Sequence, residues 1–526
     1  MHVRSVRSVS PALASAALLA TTLVAITGTS AEAATTRYQA ETSPTVCTGT
    51  IDSDWPGYTG TGFCNGNNAT GAYAQFTVNA PAAGTATIGV RFANGTTSAR
   101  PASLIVNGST VQTPSFEATG AWSTWVTKTL TVSLKAGSNT IRLNPTTSAG
   151  LPNIDYVDVE TSGGTTPQPT GPALYVAPNG TDGAAGTESA PTTLTSAISR
   201  ITPGGTIYMR GGTYRYSQTV TIPAGKNGTS GDRTELFAYP GETPVLNFSA
   251  QTEATSNRGL AVNASYWHVK GLVVERAGDN GIFLSGSNNI IERTVTRHNR
   301  DSGLQLSRAL SSTPKDQWPA NNLILSAESH DNVDSDGEDA DGFAPKLTVG
   351  PGNVFRYTVA HNNIDDGYDL YTKPDTGPIG AVTIEDSLAY DNGTLSNGGQ
   401  AGNGDRNGYK LGGDDIGVNH IVRRSIAYQN GKHGFTYNSN VGTMQISDNV
   451  SIGNEQRNFN FDSGSKSVFK NNTSCDSGSN DRIIGTSDSS NQWWNGSNGS
   501  RCSSYAGALK WSFASDGRLV VTFGSN

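Results

Sequence analysis

Between Ile290 and Asn454 the chain repeats itself. Six strand-like segments, each closing on an asparagine, run Ile290–Asn299, Leu323–Asn332, Val354–Asn363, Thr383–Asn392, Ile421–Asn430 and Gln445–Asn454. Their terminal asparagines lie 33, 31, 29, 38 and 24 positions apart. A unit near 24 residues, lengthened by loops, is one coil of a right-handed parallel β-helix. Inward apolar residues on such short strands are buried only when coils stack on their neighbours. An asparagine at one corner of every coil can hydrogen-bond its stacked equivalents and adopt left-handed turn dihedrals. Period-2 patterning and β-branched content exclude a helical-repeat solenoid. The open ends need covers. Amphipathic Leu194–Ile201 reads as an N-terminal cap helix, and the tail after Cys475, with Trp511–Phe513 and Leu519–Phe523, as a C-terminal cover.

At 526 residues the chain is too long for one ordinary core. Residues 1–34 read as an export signal: His2, Arg4 and Arg7 precede an apolar stretch from Pro11 to Ile26, and Ala31-Glu32-Ala33 offers a cleavage site. That stretch is too short for a membrane anchor, so a secreted, extracellular protein without a membrane partner is expected. The Thr/Gly/Pro/Gln-rich residues 162–172 read as a linker. They separate residues 35–161 from a domain spanning 173–526. The smaller part alternates polar and apolar residues in Thr85–Phe92 and Trp125–Leu134, as a β-sandwich does. The whole is therefore all-β, with 15% charged residues and 62 glycines. A net charge of −7 offers no basic surface for nucleic acid. The four cysteines fall into local pairs, Cys47–Cys64 and Cys475–Cys502, which in an exported protein read as disulfides. A monomer of two independent parts is expected.

Carboxylates concentrate in consecutive coils. Asp341 lies in Asp339–Lys346, and Asp365, Asp366 and Asp369 lie in Asp365–Tyr371. Asp341 precedes Asp365 by 24 residues, which suggests that the two stack. Each Asp-Gly pair alone is an ordinary turn, but four acids on adjacent coils repel unless a cation lies between them. Calcium, with six to eight oxygen ligands, suits them. Asp334, Asp336 and Asp339 read as ordinary loop acids, with a weak second site as the alternative. Lys410 follows in a glycine-flanked Tyr-Lys-Leu segment, and a lysine beside a cation should lose its proton readily and serve as a base. Lys346 is the runner-up.

The ordered series Ala340–Ala344, Asn353–Arg356, Asp365–Tyr371 and Asn407–Gly413 resembles family 9 polysaccharide lyases over most of residues 173–475. The resemblance implies a β-helical pectate lyase acting on polygalacturonate in pectin, with Asp341, Asp365, Asp366 and Asp369 as calcium ligands and Lys410 as Brønsted base. It also implies β-elimination to unsaturated oligogalacturonides. The insertion Ser396–Asp405 before the lysine departs from the family pattern at the cleft edge.

Residues 35–161 resemble carbohydrate-binding modules of family 35 through Tyr38–Glu41, Gly60–Phe63, Asn94–Thr96, Arg100-Pro101 and Pro152–Val157. This implies a structural calcium held by Glu41 and Asp155, with Gln39 where the family usually has a second acid. It further implies that Asn153, Trp122 or Trp125, Tyr58 and Arg100 contact sugar, retaining the enzyme on plant cell-wall polysaccharide. For each tryptophan, core packing is the competing assignment. Three other functions fit the same β-helix: a polysaccharide hydrolase using Asp365 and Asp366, an alginate lyase, and a non-catalytic polysaccharide-binding protein.

Overall fold

The structure is a computed structural model that describes residues 35–80, 84–135, 137–161, 172–400, 402–514 and 516–524. The signal expected at 1–34 and residues 162–171 of the expected linker lie outside the described residues.

Residues 35–161 form a β-sandwich of two six-stranded antiparallel sheets. Strand Val126–Leu134 pairs with Gly84–Ala93, and Gly84–Ala93 pairs with Asn153–Thr161. The burial of Ala74–Ala80 alternates along the strand, so every second side chain enters the core between the sheets, where Phe76, Ile88, Leu104 and Val157 are fully enclosed. The Cys47–Cys64 disulfide ties one sheet to the other.

From Ala173 onward the chain winds into a parallel β-helix. A first sheet of 12 strands runs from Ala173–Val176 to Thr486–Ser487, a second of 10 from Gly212–Arg215 to Thr473–Cys475, and a third of 10 from Val220–Ile222 to Arg482–Ile483. One continuous apolar core fills the stack. In the third sheet its inward residues form an aromatic column, with Tyr368, Tyr409 and Phe435 stacked at centroid spacings of 4.6 Å.

The expected asparagine ladder is present. Side chains of Asn299, Asn332, Asn363, Asn392, Asn430 and Asn454 are hydrogen-bonded in succession at 2.8–3.0 Å, all buried. Each side-chain oxygen also accepts the backbone N–H of the preceding rung, as between Asn332 and Asn299. The left-handed residue, however, is the one before each rung: His298, Asp331, Asn362, Asp391 and Gln429 have φ of 51–56°. Moving the bend off the asparagine leaves its amide free to bond along the stack. A second ladder, Asn289–Asn322–Asn353, marks another corner.

The helix Leu194–Arg200 covers the N-terminal end, capped by Thr193, with Leu194, Ala197 and Ile198 turned into the core. The C-terminal tail divides its work. Trp493 packs on Phe459 and Phe469, and the Cys475–Cys502 disulfide ties this segment to the last strand of the second sheet. The hairpin Leu509–Phe513/Leu519–Phe523, expected over the end, lies instead along the side of the second sheet. Trp511 donates to the Tyr390 hydroxyl at 3.0 Å, and Ser326 donates to the carbonyl of Gly517 at 2.6 Å. The outward ring column His330–His361–Tyr390 gives it an aromatic surface to dock on.

Candidate active site

Strand alternation builds the site. Tyr368 and Tyr409 point into the core, so Asp369 and Lys410, the next residues, point outward in register on neighbouring strands. They open on a cleft of about 520 Å³ lined also by Lys346, Asp365, Tyr371, Asp405 and Asp414.

One corner of the helix carries acids where the ladder would have amides. The register Phe343 to Tyr368 aligns Asp341 with Asp366, 25 residues on, rather than with Asp365 as the 24-residue spacing suggests. Asp341 Oδ1 accepts the N–H of Asp366 at 3.2 Å, and Asp366 Oδ1 accepts the N–H of Asn407 at 2.6 Å and its side-chain amide at 2.9 Å. Asp365 is held by the backbone N–H groups of Asp405 and Arg406. Asp341, Asp365 and Asp366 each present a carboxylate oxygen within 4.8 Å of the others.

Lys346 Nζ lies 2.7 Å from Asp341 Oδ2 and 3.3 Å from Asp369 Oδ2. Lys410 Nζ lies 3.0 Å from Asp405 Oδ2, 3.3 Å from Asp366 Oδ2 and 3.9 Å from Asp369 Oδ2. Burial disfavours the Lys410 ammonium, but Asp369, Asp366, Asp365 and Asp405 together outweigh it and hold its pKa above the ordinary lysine value. A lysine beside a cation was expected to lose its proton readily, and the acids around Lys410 act in the opposite direction. The acids that matter arrive from other coils and from the 396–405 insertion. Burial, reinforced by its acidic neighbours, pushes Asp366 up to about 6 against the pull of Lys410, and holds Asp365 well above the carboxylate range. Asp405 behaves oppositely: its burial is overcome by Lys410 and Lys432, which hold it down at about 2.

The donor set fits a hard divalent cation. Two buried oxygens, Asp366 Oδ2 and Asp369 Oδ1, accept no hydrogen bond, and the first meets only the Lys410 ammonium at 3.3 Å, a costly arrangement that a divalent cation relieves. Four carboxylates against two ammonium groups leave an excess of two negative charges. Asp405, Lys432 and Asn407 were not singled out as site residues in the sequence. Asp405 and Lys432 are loop residues whose meeting with Lys410 depends on the path of an insertion, whereas Asn407 was visible as the next rung after Asp366.

In the sandwich, the bulge between Ile154 and Tyr156 turns Asp155 inward. Asp155 bonds Thr59 and lies 3.1 Å from Arg91 Nε. Glu41 Oε1 accepts the Thr61 N–H at 2.9 Å, and its Oε2 is buried without a partner. Gln39 bonds Thr59 beside them. The expected sugar contacts form two groups. Trp122 lies across Gly95 with the Arg100 guanidinium 5.2 Å from its ring, while Asn153 is paired with Ala93 on the adjoining strand. Arg100 is nearly buried and donates to the Leu151 carbonyl at 2.6 Å. Trp125 and Tyr58 instead pack on Phe63, and Trp125 donates to the Pro56 carbonyl.

This fold and site define a polysaccharide lyase of the parallel β-helix class. Residues 174–473 match the family described as "Pel9A-like, right handed beta helix region", and the chain belongs to that family. Residues 39–161 match the carbohydrate-binding module of family 6. Pectate lyase L of Paenibacillus polymyxa (strain SC2) is 56% identical over 323 residues, covering 61% of this chain and 72% of that one. Pectate lyase L of Thermoclostridium stercorarium is 42% identical over 292 residues, 55% of this chain but 23% of that longer protein. The crystal structure of pectate lyase Pel9A superposes with a TM-score of 0.56 at 31% identity, covering 68% of this chain and 88% of that one.

Proposed function

We propose that this chain is a secreted, calcium-dependent pectate lyase that cleaves polygalacturonate by β-elimination to unsaturated oligogalacturonides. The observation that carries this reading is Lys410, almost enclosed beside a carboxylate cluster in which two buried oxygens accept no hydrogen bond, in an open cleft. Asp341, Asp365, Asp366 and Asp369 would hold calcium. Bound there, it would neutralise the uronate carboxylate, acidify the proton on carbon 5 and offset the acidic field on Lys410. Lys410, once neutral, accepts that proton. The electron pair forms the double bond between carbons 4 and 5, and the glycosidic oxygen on carbon 4 leaves. Asp405 orients Lys410 through its 3.0 Å contact, and Lys432 balances Asp405. Since the surrounding acids stabilise the ammonium, the rate should rise with pH toward an alkaline optimum.

Export is supported by the two disulfides. Among the described residues no helix is long and apolar enough to cross a membrane. We read residues 35–161 more finely as a family 35 module, with calcium at Glu41 and Asp155 and uronic-acid sugars of plant cell walls at Asn153, Trp122 and Arg100. The placement of Trp125 and Tyr58 around Phe63 favours a packing role for them. The working enzyme is a monomer.

The test is ultraviolet absorbance of the products formed from polygalacturonate, pectin and alginate, with calcium or with excess chelator. Absorbance should grow on polygalacturonate with calcium and stop with chelator. Saturated products, or full activity in chelator, would overturn the reading.

A further inference from the structure

A second acidic cavity adjoins the cleft on its N-terminal side. It measures about 260 Å³, and its lining includes Glu253, Asp279, Asp301, Asp334, Asp336 and Asp339, the last of which also lines the catalytic cleft. Its place follows from the backbone register. Gly281, Gly303, Gly342 and Gly367 occupy one corner of successive coils, each bonded to the residue before the next glycine or its equivalent: Gly281 N–H to Ser302, Gly303 to Asp341, Gly342 to Asp366 and Gly367 to Asn407. Two residues before these glycines stand Asp279, Asp301, Ala340 and Asp365. Asp279 and Asp301 therefore hold the corner that Asp365 holds in the catalytic cluster. Asp301 is two coil steps from Asp365, about 10 Å.

The loop between them adds the rest. Asp334 Oδ2 accepts the N–H groups of Glu338 at 3.2 Å and Asp339 at 3.3 Å, closing a tight turn through Gly337, whose φ is 70°. Asp334 is 8% exposed, and its other oxygen, Oδ1, is buried with no partner. Asp336 stands on the same turn and is exposed. Among the described residues the only ion pair made by the six acids joins Asp279 to Arg258, at 3.4 Å. Arg300 also lines the cavity, and these two guanidinium groups against six carboxyl groups leave most of the negative charge uncompensated.

Such a pocket repels a polyanion in the adjoining cleft unless it carries a cation. We propose that Asp334 and Asp336, facing Asp301 and Asp279 across this cavity, hold a second divalent cation of the calcium class, distinct from the one at the catalytic cluster. A hard oxygen-only donor set, with one donor anchored by a turn and one free, suits a calcium site of modest affinity. Its role toward substrate, bridging a uronate carboxylate beyond the catalytic subsite, rests on the pectate reading; ion binding there does not.

Calorimetric titration of the full chain with calcium tests it. The Asp334→Asn/Asp336→Asn variant should bind one ion fewer than wild type, and Asp366→Asn should lose a different one, so that combining all three removes two. In the double variant KM for polygalacturonate should rise about two- to five-fold, the scale of one solvent-exposed charge contact, with kcat kept. Asp336→Asn alone, at an exposed position, serves if the double variant fails to fold. Unchanged stoichiometry and affinity in these variants would overturn the site. One ion lost with KM unchanged would overturn its role toward substrate. A wild type that forms no unsaturated product would overturn the pectate reading while the titration still decides the site.

Discussion

On the outer face of the first sheet, Lys270 sits in register with Glu292, and Arg356, Glu385 and Arg423 follow one another across three strands. Signs alternate, and each acid has a cation at 2.6–3.0 Å. Burial of Glu292 is overcome by His268 and Lys270, which hold it down at about 2. On the third sheet the same register places acid after acid at one corner, and Asp366 is pushed up to about 6. One β-helix thus uses cross-strand stacking in two ways. Alternating charges on the first sheet offset one another, whereas the buried like charges beside the third are offset only in part by Lys346 and Lys410, and a proton or a bound cation relieves the rest.

The largest expected effect comes from removing the base. Lys410→Ala should lower kcat on polygalacturonate by about 10²- to 10⁴-fold, with circular dichroism and oligogalacturonate binding retained. Substantial turnover with an unchanged pH profile would move the base to Lys346. Next, Asp366→Asn keeps the shape of the corner rung while removing its charge, and should raise the calcium concentration for half-maximal activity by at least about tenfold. An unchanged calcium requirement would remove Asp366 from the cation site.

Stability against pH separates the two faces directly. Asp366 has a raised folded value, so its stabilising protonation is complete below about pH 4 and is lost as pH rises through about 6. Glu292 has a depressed value, so its contribution is present above about pH 4 and is lost as pH falls through about 2. In chelator, the free energy of unfolding should therefore decline toward neutral pH by an amount on the order of 1–3 kcal/mol, calcium should flatten that decline, and Asp366→Asn should reduce it. Glu292→Gln should leave it intact and remove part of the acid limb. A chelated wild type whose stability climbs steadily from pH 4 to 7 would contradict the residual repulsion.

A smaller change is expected at the paired face. Glu385→Gln should cost about 1 kcal/mol, because its arginine partners are partly solvated, and should spare turnover. Loss of activity there would mean that the first sheet also shapes the cleft. Smallest on soluble substrate is Trp122→Ala. It should leave kcat on soluble polygalacturonate unchanged and reduce retention on intact cell-wall material, read by a pull-down; equal loss on both would indicate a structural role.

Much of this architecture was legible in the residues. The six asparagines announced the stack because one buried amide per coil needs an identical neighbour above and below it. Asp365, Asp366, Asp369 and Lys410 could be singled out because acids crowded on adjacent coils repel unless a cation lies between them, and because their ordered segments resemble a known lyase family. The partner of Asp341 could not be read from a spacing of 24, since one residue of loop changes which aspartate shares its rung. Nor could the contact of Lys410 with Asp405, which the path of the insertion decides.

The sequence by itself determined the coils, their stacking and the residue types at each corner, because period-2 burial and ladder hydrogen bonds are local rules repeated many times. Tertiary structure alone decided which charges meet and where the Trp511 hairpin docks. Those contacts depend on the lengths and paths of loops between coils, and a displacement of one coil, about 4.8 Å, is enough to exchange one partner for another.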